Sequence, residues 1–138
     1  MKKLSFKEIK ALPKGQGEMT AVTTRKPDDR FSTDHVAVRE SEKEFRLSGW
    51  SGDETAFTGI DFYLPKDLQD GEHSIGPEGV VRAYFSEDWQ SEGLAAQSGR
   101  ISLVIDRVEN RFIASDFHFR VAGSPGFEVH LGKFLIVR

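Results

Sequence analysis

The residues best able to do chemistry sit near the C-terminus: His118, His130 and Asp116. Two imidazoles facing each other across a strand pair can share one metal ion, and a carboxylate two residues along the same face can join them. Arg100 falls opposite His118 in the same reading, and a guanidinium there repels a cation. The plainer reading is an ordinary solvated sheet face, since polar residues alternating with apolar ones are what such a face requires.

Three strands must position these residues. Arg100–Arg107 carries Ile101, Leu103 and Ile105 on one face; Arg111–Val121 carries Ile113, Phe117, Phe119 and Val121. A three-residue loop, Val108 to Asn110, pairs Ile105 with Ile113 and Ile101 with Phe117, keeping the apolar set on one side. It also puts Asn110 where such loops need a left-handed residue. The next turn, Ala122–Gly126, pairs Val121 with Phe127, Phe119 with Val129 and Phe117 with Leu131. The opposite face then carries Arg120–Glu128, His118–His130 and Asp116–Gly132. A bulge is expected at Gly132 and Lys133, where the apolar phase shifts to Phe134 and Ile136.

Other candidates are aromatic. Trp50 lies in Ser48–Gly52 among residues with little side chain, which suits a ligand platform or partner contact. Burial in the core is the plainer role for a large aromatic. Trp89 lies in a polar stretch as a loop anchor or a lid over the core. Tyr84, Arg120 and Glu128 join the two tryptophans as candidate ligand or partner contacts. Asp61 is a lone carboxylate on an otherwise apolar strand. No nucleophile or partner acid can be set beside it, so a hydrogen-bonded structural role is the expectation.

The remaining elements follow from periodicity and punctuation. Residues 4–12 read as a short helix, with Ser5 and Glu8 as a capping box and Pro13 and Gly15 as its stop. Strands follow at Gly17–Thr24, Asp34–Glu40, Glu44–Ser51, Thr55–Leu64 and Gly79–Ser86. Arg25–Arg30 reads as a loop, Asp67–His73 as a turn, and Glu87–Gln97 is open between strand and loop. The fold class is therefore all-β: an antiparallel sandwich or flattened barrel of about eight to nine strands with a short N-terminal helix. Residues 1–138 form a single domain, with 1–16 as a helical extension and 17–138 as the β core.

Composition narrows the function. Of 138 residues, 38% are hydrophobic and 30% charged, as in a globular protein. The 11 Phe lack a polar handle, and most of them belong in the core. A net charge of −3 with scattered Lys and Arg argues against nucleic acid. The absence of cysteine removes disulfides and thiolate chemistry. No apolar stretch reaches the ~20 residues of a membrane span. Lys7, Glu8 and Lys10 interrupt any signal-peptide core, so the default location is cytoplasmic. No phosphate loop, dinucleotide fingerprint, nucleophile elbow or zinc-protease helix motif is present.

The expectation is a binding or interaction module rather than an enzyme. Its partner is an unknown protein or a small apolar ligand held inside a barrel, or a second copy of the chain docked through the apolar strand Phe134–Val137. No cofactor is expected. The alternative is a metal-dependent enzyme, or a metal-binding protein, using a divalent ion on His118, His130 and Asp116.

Overall fold

Short runs with period-two apolar spacing, each ended by Gly, Pro or an acidic turn, leave the backbone little choice but pairing between neighbours. The computed structural model describes residues 15–52, 56–88, 93–123 and 125–138. Among them are ten strands and no helix: β1 Gln16–Thr23, β2 Asp29–Thr33, β3 Val36–Glu40, β4 Glu44–Gly52, β5 Phe57–Pro65, β6 Gly71–Ile75, β7 Arg82–Ser86, β8 Leu94–Asp106, β9 Arg111–Val121 and β10 Phe127–Val137. The expected helix at 4–12 and Trp89 lie outside the described residues.

The ten strands pair antiparallel. Nine follow the order β2-β1-β10-β9-β8-β7-β5-β4-β3, and β6 pairs with β8 beside this path. The path curls into a nearly closed barrel. At the seam the Gly15 amide donates to the Val36 carbonyl at 2.8 Å, and Arg138 pairs with Glu40 at 2.6 Å. Closure hides the edges that would otherwise template aggregation.

Inward-facing side chains fill the barrel. Phe62 sits at its centre, edge-on to Phe117 at 4.8 Å and Phe119 at 6.1 Å, with Phe134 tilted at 5.6 Å. Nine of the eleven phenylalanines are buried, and Phe45 packs against them. Each such ring contributes about 2–3 kcal/mol by leaving water.

Two strands escaped the periodicity. β2 has one apolar residue inside, Phe31, and β6 ends on its only one, Ile75. Backbone pairing holds both: β2 to β1, and β6 to Gly99–Leu103 of β8. The open segment Glu87–Gln97 supplies the start of β8 at Leu94.

The register is partly as expected. Ile101 faces Phe117, and Val121, Arg120 and Phe119 face Phe127, Glu128 and Val129. Asn110 takes the left-handed conformation, φ 54°. The first hairpin, however, closes Asp106 on Arg111 around Arg107–Asn110, and Ile105 faces Phe112 instead of Ile113. Ser115 is the extra residue, between the pairs Leu103–Ala114 and Ser102–Asp116. That bulge reverses the inward phase, so Phe112 and Ala114 are buried and Ile113 turns outward.

Against β9 the β10 register shifts twice, between Val129 and Gly132 and between Gly132 and Phe134, so the irregularity expected at Gly132 and Lys133 has an earlier companion at His130 and Leu131. Leu131 adopts φ 51° and is 67% exposed, while Gly132 comes opposite Phe117. A Cβ on residue 132 would lie 2.3 Å from the Phe117 ring, so only glycine fits over that ring.

Candidate functional site

The β10 bulge lies beside the histidines. His130 pairs with Val22 of β1, and with Val129 opposite Phe119 and Gly132 opposite Phe117, His118 faces the two-residue bulge of His130 and Leu131. Asp116 does not face Gly132. Both imidazoles line a recess of about 490 Å³ on the outer face, together with Arg100, Arg120 and Glu128. Gly99 forms its floor, where a Cβ would meet the His118 carbonyl oxygen at 2.2 Å. Register shifts at Ala96/Ser98 and Val129/Gly132 flank it and bend the strands.

Most charges in this recess are answered. Arg100 reaches Glu72 at 2.7 Å, and Arg120 lies 3.9 Å from Glu128. His118 Nδ1 is 3.7 Å from Asp116 Oδ2, with both side chains more than half exposed. Among the described residues no three His, Asp or Glu side chains stand together as a metal group. As expected from the sequence, Arg100 is directly across from His118.

β10 lies between β1 and β9, so both its edges are paired. Of its apolar run, Phe134 and Ile136 are buried and Leu135 is 40% exposed. Contact with a second copy through this strand would use its outer face, not an edge.

A second outer face, on β3, β4, β5 and β7, holds the other described candidates. Alternation sends Val38, Leu47, Phe62 and Ala83 inward, and the positions beside them outward. One registered row runs Arg39, Arg46, Tyr63, Arg82; the next runs Ser48, Asp61, Tyr84; Trp50 follows opposite Gly59. Both tyrosines of the chain are therefore on this face.

The contacts are interlocked. Tyr63 stands between two guanidiniums, Arg46 at 5.3 Å and Arg82 at 4.6 Å from its ring centre. Tyr84 packs edge-on against Tyr63 at 5.5 Å. Asp61 accepts from the Ser48 hydroxyl and from Arg46 Nε at 3.3 Å. Arg82 Nη2 reaches both oxygens of Glu44, at 2.9 and 3.1 Å. Trp50 is half-buried, stacked on His35 at 4.6 Å and Phe57 at 6.1 Å. Its ring covers Phe57 and lies beside the polar rows.

Electrostatics single out Arg39. Burial, then the charge of Arg46 directly opposite, push its pKa down. Its Nε is shut off from solvent without a hydrogen-bond partner. For Arg46, burial also acts downward, but Asp61 outweighs it and the pKa is raised. Burial raises the Tyr63 hydroxyl.

Sequence reasoning singled out Tyr84, Trp50 and Asp61 but missed Arg39, Arg46, Tyr63 and Arg82. The signal was there in the alternation Arg46, Ser48, Trp50 and its neighbour Asp61, Tyr63. It needed the β4–β5–β7 order, which places a distant strand alongside. Compared with protein-family models, curated proteins and solved structures, the chain matches none.

Proposed function

We propose that the protein is a binding module whose contact surface is the outer face of β3, β4, β5 and β7, and that its partner is a protein segment carrying an acidic residue among apolar ones. One observation carries the reading: Trp50, Tyr63, Tyr84, Arg39, Arg46 and Arg82 share one registered face. Trp, Tyr and Arg are the residue types that dominate binding energy at protein interfaces. Charge sets the partner's sign. Three guanidiniums face two carboxylates, Asp61 and Glu44, which leaves this face positive on a chain of net charge −3. The aromatic rings give apolar neighbours of that acid something to cover.

The test uses the full chain with Trp89→Phe, so that Trp50 is the sole fluorophore of its kind. A short peptide with Glu between leucines is titrated in, and the same peptide with Gln is the control. The expected result is a saturable change in Trp50 emission for the Glu peptide, at least tenfold weaker for Gln. Tyr84→Ala and Arg82→Ala weaken it, and Arg120→Ala in the other recess leaves it unchanged. Equal response to both peptides, or loss of binding in Arg120→Ala, overturns the reading.

A further inference from the structure

We infer that Arg39 and Arg46 together form the receptor for a single carboxylate, the acidic group of the bound segment. The inference rests on the binding face proposed above and adds which atoms choose the ligand. Its grounds are geometric. Arg39 and Arg46 are directly opposite on β3 and β4, and like charges in that relation repel. Arg46 spends its Nε on Asp61, while among the described residues no ion pair neutralises Arg39. Arg39 is thus a half-buried cation beside a second cation, an arrangement that costs stability until a counter-charge arrives.

The stoichiometry follows from the charges. Asp61 offsets one of the two guanidiniums, so one negative charge completes the set. A carboxylate supplies one, with a planar pair of oxygens that matches the guanidinium fork. Phosphate shares the oxyanion chemistry but brings up to two charges. Burial and then the Arg46 charge lower the Arg39 pKa despite the opposing charge of Asp61.

The test follows the arginine Nε–Hε NMR signals of the full chain during titration with sodium acetate, at ionic strength held constant with sodium chloride. The Arg39 Nε is shielded from solvent, which slows exchange of its proton. Acetate is expected to move the Arg39 and Arg46 signals along one saturable curve, with Arg120 unmoved. Arg39→Gln weakens that binding at least tenfold, and Arg39→Lys restores part of it. Inorganic phosphate is expected to bind no more tightly than acetate; tenfold tighter binding of phosphate overturns the single-carboxylate assignment. Should Arg39→Gln fail to fold, Asp61→Asn decides the matter. Removing the competing carboxylate strengthens acetate binding several-fold if the inference holds, and unchanged or weaker binding overturns it. Binding of the Glu peptide without any Arg39 response refutes this inference alone, whereas binding of neither probe refutes the face as well.

Discussion

Replacing Gly132 by alanine tests the close packing of β10 over Phe117 beside its bulge. The new Cβ would lie 2.3 Å from one Phe117 ring atom and 2.4 Å from two others. Ordinary carbon contacts are about 3.5–4 Å, so the ring must move by more than about 1 Å. It has nowhere to go. Phe117 is fully buried, with Phe62 at 4.8 Å, Phe134 at 6.0 Å and Phe119 at 6.3 Å. Overpacking of this kind costs about 1–3 kcal/mol, and three simultaneous overlaps put it at the upper end. Gly→Ala returns about 0.4–1 kcal/mol through the unfolded chain. The expected net loss is about 2 kcal/mol, or a Tm lower by about 7 °C for a chain of this length. Urea unfolding followed by circular dichroism measures it. The companion variant is Phe117→Leu, which makes room for the methyl group. Gly132→Ala with Phe117→Leu should lose at least about 1 kcal/mol less than the sum of the single changes. A Gly132→Ala protein within about 0.5 kcal/mol of the parent, or strict additivity in the cycle, would falsify the argument.

Leu131→Asn should stabilise the protein by about 0.5–1 kcal/mol, because an exposed leucine at φ 51° pays a left-handed penalty that asparagine largely avoids; a lower urea midpoint would contradict this. Asp61→Asn should cost about 1–2 kcal/mol by weakening the Arg46 and Ser48 bonds while tightening anion binding, and a stability change without an affinity change would break the link between them. Acid should destabilise the fold through Asp29, Glu40 and Asp106, all with lowered folded pKa values. Burial alone would raise Asp29, but hydrogen bonds from Thr23 and Arg25 prevail; Lys66 and Arg138 hold Glu40 down, and the Glu109 amide and Arg111 hold Asp106 down. The unfolded chain therefore takes up these protons first. Their stabilisation is complete above the ordinary carboxyl range, about pH 4, and is lost as pH falls through the folded values. Urea midpoints that stay level from pH 6 down to about pH 3 would exclude it.

Local pattern was enough for much of this molecule. Alternation in β4, β5, β9 and β10 is strong because each strand has one face in a phenylalanine-filled barrel, and the β9–β10 hairpin could be registered as far as Val129 because its turn sets the pairing. The all-β class and the left-handed Asn110 follow from the same local forces. Beyond that point local rules run out. β2 and β6 carry too few apolar residues to announce themselves and exist because β1 and β8 offer free backbone edges. The bulges at Ser115 and Leu131 answer packing demands made by distant residues, and each reverses the phase of everything after it. For this reason Leu131, read from alternation as a core partner of Phe117, turns out to solvent. The arginine–tyrosine face arises in the opposite way, since Arg39, Arg46, Tyr63 and Arg82 belong to four strands, three consecutive and the fourth, β7, reached past β6. Alternation alone could tell which residues point outward from each strand. Only the tertiary strand order, which sets β7 rather than β6 beside β5, determined which outward residues would meet.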